Sequence, residues 1–334
     1  MTAASVVCLG ESMAQVIPIE GGLEHAKSFV ITTAGAESNV AISLSRLGTS
    51  SSWAGYLGRD PLGRRVLDDL QEASVATSLV REIEGRRTGV FFKDPDADGS
   101  TVYYYRADSA ATLMDDDYVT YVLSTRPRCV HVTGVTLALS PTCRASVVAL
   151  ADTAAHWGAI LSFDVNYRPA LWPDRETAAG AITRVARHSD IVFVGLDEAQ
   201  ALWGCDSAAG IRRMLPEPRH LIVKDGAREA VVFAGADRVS VPALAVAVVE
   251  PVGAGDAFAA GWLHGHLAGH DDVVNTRLGH LMAGVALTSH SDVGAMPTSA
   301  RELVARAVGG TDWKGSAEIA IDDEGSRESA HAAI

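Results

Sequence analysis

Apolar residues along this chain gather into short runs that alternate with longer stretches of helical period. The run "VVCLG" (6–10) is short and ends in glycine, as a fully buried strand does. In "AESNVAISLSRLG" the side chains Val40, Leu44 and Leu47 recur at helical spacing, Asn39, Ser43 and Arg46 take another face, and Gly48 suits the C-terminal cap. "DPLGRRVLDDLQEA" predicts a second helix, capped by Asp60, with Pro61 in its first turn and Leu62, Val66 and Leu70 as the apolar stripe. From residue 128 the rhythm is regular: strand "RCVHVTG", helix 141–156, strand "AILSFDVN", helix 174–188, strand "DIVFV", a helical stretch, strand "HLIVK". Strands joined through crossover helices form a parallel sheet covered on both faces, so the fold class is α/β.

Two stretches break the rhythm. Residues 88–106, "TGVFFKDPDADGSTVYYYR", read as two β-rich segments joined by an Asp, Pro and Gly turn. Like 15–33, they lack a crossover helix, so a small β-sheet flap is predicted, inserted at about 15–33 and 88–107 into one domain spanning 1–310. The remainder, 311–334, carries six acids to two bases with little periodicity and is expected to be a disordered acidic tail. Within 334 residues, enough for one large core, no polar linker marks a second domain.

Charge narrows the choice of ligand. Asp plus Glu number 41 against 28 Lys plus Arg, and no basic stretch offers attraction to nucleic acid or an anionic membrane. A small molecule is the expected partner, and an anionic one needs local donors. Cys8, Cys129, Cys143 and Cys205 have neither zinc-site spacing nor disulfide-scaffold density, so reduced, buried thiols are expected. The first residues have no basic region and only about five consecutive apolar positions, too few for a signal peptide or a membrane span, which suggests a cytoplasmic protein. His264, His266, His270, His280 and His290 suggest a metal cluster, yet His264 and His266 are two apart on a predicted helix and point to different faces.

The chemistry concentrates in "EPVGAGDAFAAGWLHG" (250–265). "LAVAVVE" before it reads as a buried strand, and a helix is predicted to begin at Asp256. Gly253, Ala254 and Gly255 then stand at a helix N-terminus, where unpaired N–H groups and the positive dipole end form an anion site. Asp256 has two readings on this turn alone. It can be an N-cap, or a general base taking the proton of a hydroxyl that attacks a phosphoryl group held by those amides. A P-loop is absent because no Lys-Ser or Lys-Thr pair follows the glycines, and Phe258 breaks the dinucleotide fingerprint, which leaves a hydride-transfer enzyme as the weaker alternative.

"GAGDAFAAG" resembles the C-terminal signature of the ribokinase-like (PfkB) carbohydrate kinases, and "AGAESNVAISLSRLG" resembles their N-terminal signature, in the expected order. The similarity spans about residues 5–308. It implies a doubly wound, mostly parallel sheet with helices on both faces and a small β-sheet lid, ATP as phosphoryl donor, Mg2+, a sugar hydroxyl as acceptor, and a homodimer formed through the lid. By the same resemblance Asp256 is the catalytic base, Gly253, Ala254 and Gly255 hold the developing charge and the ATP phosphates, and Gly35 and Asn39 bind sugar hydroxyls. Glu250 and Pro251 replace the usual Asp-Thr, so the charge is kept and a hydroxyl lost.

Three features bear on the sugar. Tyr104 and Arg106 of "VYYYR" resemble the Tyr-x-Arg of 2-keto-3-deoxygluconate kinases, and the Arg106 guanidinium matches a carboxylate. The run "FDVNYRPALW" resembles the Asp-x-Asn-x-Arg of that subfamily, implying Arg168 toward phosphate or acid group, Asn166 toward the nucleotide, and Asp164 as a cap or a partner of Arg168. Gln15 stands where ribokinases and fructokinases usually carry Asp, and losing that charge suits an anion. "DIVFVGLDEA" takes the place of the N-x-x-E motif with Gly195 for Asn, leaving Glu198 to reach the metal through water. Lys224 and Gly226 are implied near the ATP phosphates and base, and 291–297 beside adenine and, in some relatives, a monovalent cation. The expected activity is ATP-dependent phosphorylation of the 6-hydroxyl of a sugar acid, foremost 2-keto-3-deoxygluconate. The alternatives are a fructokinase- or ribokinase-like kinase of a neutral sugar and a non-catalytic sugar-binding regulator.

Overall fold

The computed structural model describes residues 5–96, 99–289, 291–296, 298–310 and 313. The N-terminal third runs β1 (Val6–Leu9), β2 (Met13–Pro18), β3 (Phe29–Ala34), α1 (Ala36–Arg46), β4 (Ser51–Ala54), β5 (Tyr56–Gly58), α2 (Pro61–Glu72), β6 (Arg81–Ile83), β7 (Val90–Asp96) and β8 (Gly99–Tyr105). Local chemistry sets the helix ends: Asp60 accepts the Gly63 N–H at 2.7 Å at the start of α2, and Gly48, at φ +87°, takes the left-handed turn just after α1. There follow α3 (Asp116–Ser124), β9 (Cys129–Thr133), α4 (Gly134–Ala138), α5 (Pro141–Thr153), β10 (Ile160–Asp164), α6 (Arg175–Arg187), β11 (Ile191–Gly195), α7 (Leu196–Trp203) and α8 (Ala208–Met214). The chain continues through β12 (His220–Asp225), β13 (Glu229–Ala234), β14 (Asp237–Pro242), α9 (Ala254–Ala268), α10 (Asp272–Leu287) and α11 (Ala300–Gly309).

Among the described residues the main sheet has eight strands in the order β4-β1-β9-β10-β11-β12-β13-β14. It is parallel from β4 to β12, and β13 and β14 add an antiparallel edge. The period of two divides each strand between two cores. Val6, Cys8, Ile191, Phe193 and Ile222 pack with Val40 and Leu44 of α1 and Trp262 of α9. Val7, Val130, Phe163, Val192 and Val194 pack on the opposite face with Val147 of α5 and Ile182 of α6. This is the doubly wound α/β fold expected. The chain leaves β1 toward β4 and later returns to β9 on its other side, so the order reverses beside β1. Open sheets of this kind bind ligands at the carboxyl ends of the strands near such a switch.

The small sheet has the order β3-β2-β7-β8, with β2 and β7 parallel and the outer pairs antiparallel. Met13, Ala34 and Phe91 are buried beneath it, whereas Phe29, Val30, Ile31, Tyr103 and Tyr105 stay exposed. Two expectations need correcting. Residues 244–250 form no strand: Pro242 ends β14, and Val248 (60% exposed) and Val249 cross the surface, tied by the Val249 N–H to Leu287 O at 2.7 Å. Helix α9 starts at Ala254 with Gly253 as its cap, which makes Asp256 the third helical residue. The expected tail lies outside the described residues apart from Trp313, whose Nε1 donates to Pro242 O at 2.8 Å. Among the described residues no helix is long and apolar enough to cross a membrane.

Candidate active site

A cleft of about 540 Å³ lies between the carboxyl edge of the main sheet and the small sheet. Gly35, Asn39, Tyr104, Arg106, Asn166, Arg168, Glu198, Lys224, Gly253, Gly255 and Asp256 all line it. Ala254 belongs to the same turn without lining the cleft. Gly226, at φ +51°, sits in the β12–β13 hairpin two residues beyond Lys224 and outside the cleft wall.

Gly253 adopts φ +84°, and a Cβ there would clash with the carbonyl of Asp292, so both backbone angle and space require glycine. That turn begins α9 and leaves its first N–H groups without intrahelical acceptors. Because Gly253 occupies the cap, the Asp256 carboxylate is free to reach Asn39, whose Nδ2 donates to Oδ2 at 2.9 Å. Burial pushes Asp256 up to about 7; Asp164 and Asp292 push the same way, while the Asn39 hydrogen bond and Lys224 oppose them. A carboxyl group held near neutral pH is matched to proton transfer.

Lys224 Nζ donates to Asp164 Oδ2 at 2.9 Å and comes within 3.3 Å of where a Gly255 side chain would begin. Burial disfavours its charge, yet Asp164 and Glu198 outweigh that and raise its pKa. Of the two expected roles of Asp164, the cap is seen, with its Oδ1 accepting the Asn166 N–H at 3.3 Å, whereas its ion-pair partner is Lys224 and not Arg168. The chain turns sharply after β10 at Asn166, φ +36°, and carries Arg168 instead to Glu198, Nη1 to Oε1 3.5 Å. Glu198 Oε2 also accepts the Gly195 N–H at 3.0 Å, and burial raises its pKa. The Oδ1 of Asn166 is buried and has no hydrogen-bond partner among the described residues.

The small-sheet wall is built from side-chain pairs. Arg106 lies over the Tyr104 ring, 5.7 Å from its centroid, and forms an ion pair with Glu11. Glu11 Oε1 accepts the Ser109 hydroxyl at 2.8 Å; burial raises the pKa of this acid against the pull of Arg106 and Ser109. The buried Nε of Arg106 has no hydrogen-bond partner among the described residues. Gln15 Nε2 donates to Asp292 Oδ1 at 3.3 Å. Lys93 Nζ lies 2.5 Å from Glu250 Oε2 and 3.9 Å from Asp292 Oδ1.

Glu11, Lys93 and Asp292 were not singled out from the sequence. For Glu11 a signal exists, since it directly follows the glycine that ends β1 at the ligand edge. Lys93 shows only as a lone cation in an apolar run. The histidines have ordinary partners: His264 Nδ1 and Thr49 Oγ1 are 2.7 Å apart, His266 stacks on Trp262, and His280 Nε2 meets Val241 O at 3.1 Å. His290 lies outside the described residues.

A doubly wound sheet, an amide-rich helix start and a buried acid beneath a small sheet define a small-molecule kinase. Residues 3–299 match the family model described as "pfkB family carbohydrate kinase", and the chain belongs to that family. It is an ATP-dependent sugar kinase. The chain is 33% identical to the 2-dehydro-3-deoxygluconokinase of Bacillus subtilis (strain 168), covering 87% of this chain and 92% of that one. It is 34% identical to Fructokinase-1 of Zea mays, over 76% and 80% of the two chains. Among solved structures, a PfkB protein from Polaromonas sp. JS666 superposes with a TM-score of 0.81 at 33% identity, covering 90% of this chain and 99% of that one.

Proposed function

We propose that this sugar kinase phosphorylates the 6-hydroxyl of a sugar acid of the 2-keto-3-deoxygluconate class. The observation that carries the reading is Arg106, a half-buried cation in the cleft wall whose buried Nε has no hydrogen-bond partner among the described residues. A carboxylate can occupy such a donor, and a neutral sugar offers only weaker acceptors. Gln15, in place of an acid, lowers the repulsion such an anion would meet. The likeness to the Bacillus enzyme points the same way.

In this reading Gly35 and Asn39 hold sugar hydroxyls and Asp256 takes the proton of the attacking oxygen. The N–H groups of 253–255 stabilise charge on the transferred phosphoryl group. Lys224 and Arg168 flank the ATP phosphates, with Asn166 on the nucleotide side and Gly226 behind Lys224. Glu198 and the unpartnered Asn166 Oδ1 line the same cleft and offer oxygen donors suited to magnesium entering with ATP, which Glu198 would hold through water and which would offset phosphate charge. The monovalent cation of some relatives would flank 291–296, where Asp292 already faces the Lys93 ammonium. Closure of the lid excludes water from the reaction, and the exposed aromatic and aliphatic side chains of the lid supply the dimer surface.

A second reading, a neutral-sugar kinase, is favoured by the Glu11–Arg106 pair, which already engages part of the guanidinium. A coupled kinase assay over sugar acids and neutral sugars, run on the parent and on Arg106→Ala, separates them. For the first reading KM for the sugar acid rises roughly tenfold to a hundredfold, the value of a lost charged hydrogen bond, while fructose kinetics hold. Preferred turnover of fructose, or a KM effect confined to it, would transfer the assignment to the second.

A further inference from the structure

Lys93 lines the cleft without a part in the phosphoryl-transfer reading, and its placement is costly. Its side chain is 4% exposed, on a strand of the small sheet, yet its Nζ crosses to the main body and meets Glu250 at 2.5 Å and Asp292 at 3.9 Å. Burying an ion pair seldom adds stability, because desolvation consumes most of the Coulomb gain. Glu250 is also committed elsewhere, for its Oε1 accepts the Val252 N–H at 3.2 Å, one residue before the cap of α9. Asp292 lies against that cap from the other side: its carbonyl fills the space where a Gly253 side chain would go, and its carboxylate takes the Gln15 amide from the neighbouring lid strand. Among the described residues, both ion-pair contacts of the Lys93 ammonium therefore lead within one or two links to the turn that carries the 253–255 amides.

We propose that Lys93 is a positioning residue for phosphoryl transfer, a lid-borne cation that, through Glu250 and Asp292, sets the 250–255 turn only when the lid sheet is seated. The inference rests on the reading of that turn as the phosphoryl-binding element. With Lys93 absent, two buried carboxylates face each other uncompensated and the turn loses its link to the lid. Misplacement of a reacting group by about 1 Å is enough to cost a hundredfold in rate. The effect falls on turnover, because the charge of Lys93 is already matched by two protein carboxylates.

The experiment compares kcat and KM for the parent, Lys93→Ala, Glu250→Gln and the double variant, each with its Tm, and repeats the Lys93→Ala assay with propylammonium chloride against sodium chloride. We expect Lys93→Ala to lose roughly tenfold or more in kcat with KM for the sugar within about threefold. Propylammonium should restore part of that loss by entering the vacated space, and removing the Glu250 charge in the double variant should restore part of it as well. Should Lys93→Ala prove unstable, Glu250→Gln alone, which keeps an acceptor for the Val252 N–H while discharging the partner of Lys93, must still lower kcat more than it raises KM. Parent-like kcat in Lys93→Ala overturns the proposal. So does a kcat loss that neither propylammonium nor the double variant recovers and that tracks a lowered Tm. Asp256→Asn in the same assay separates failures: if it stays active the reading of the turn falls, and if it is inactive while Lys93→Ala is not, only the role of Lys93 falls.

Discussion

The two walls of the cleft are made differently. On the main-body wall the groups are backbone amides and an acid at the start of α9, set by a cap at Gly253 and by one hydrogen bond from α1. On the lid wall they are long side chains held by opposite charges, Arg106 on Glu11 and Lys93 on Glu250. Backbone at the start of a packed helix moves only with the turn that leads into it, so in the proposed reading it serves the step common to every sugar, the transfer of phosphate. Ion-paired side chains can exchange one partner for another when a ligand arrives, so they suit the choice of sugar and the sensing of closure. In the proposed reading chemistry resides in the body, and selectivity with its timing in the lid.

If that division holds, damage to the body wall lowers turnover for every sugar alike. The largest effect belongs to Asp256→Asn, which keeps the shape and the Asn39 contact and removes the carboxylate proposed as the base. We expect kcat to fall by about a hundredfold or more with KM nearly unchanged, measured on the best sugar acid and on fructose in parallel. A loss confined to one sugar would erase the distinction between the walls. Gly253→Ala comes next. Its left-handed angle and the Asp292 carbonyl both oppose a methyl group, so the amide turn must shift, with about tenfold or more lost from kcat on all sugars. A Gly253→Ala enzyme that loses affinity for one sugar while kcat stands would show that this turn selects substrate.

The same contrast explains what could be read from the sequence. The anion turn and the Asn39 helix are contiguous motifs, because backbone geometry is written by neighbouring residues. The period-two and helical patterns likewise revealed the parallel sheet and its two faces. Pairings across the fold were not legible: Asn39 and Asp256 meet across 217 positions, and only recognition of the two signatures joined them. Lys93 with Glu250, Arg106 with Glu11 and Lys224 with Asp164 required three-dimensional proximity, so of the two roles expected for Asp164 the local cap was legible and the distant ion pair was not. The stretch 244–250 misled for a related reason. Its Ala and Val pattern reports what could pair in a sheet, but Pro242 ends the preceding strand and the chain must cross to α9. Side-chain alternation holds no information about whether a partner strand is within reach.

The smallest effect concerns stability, and its sign follows from the body wall alone. Burial carries the Asp256 carboxyl from an ordinary 3.8 to about 7, so between those values the folded protein holds a proton that the unfolded chain has released. Stability attributable to this site therefore declines as pH rises through that window, and the whole penalty is present above about 7. Asparagine has no charge to desolvate. The Tm of Asp256→Asn, measured without ATP or sugar, should exceed that of the parent, by a few degrees at pH 8 and by less at pH 5. Equal gains at the two pH values would mean that desolvation is not what raises this acid, and a lower Tm at pH 8 would mean that the ionised carboxylate is stabilised where it stands. Either result would move the origin of its basicity from the packed body to groups that arrive with substrate, and the lid would then share in the chemistry.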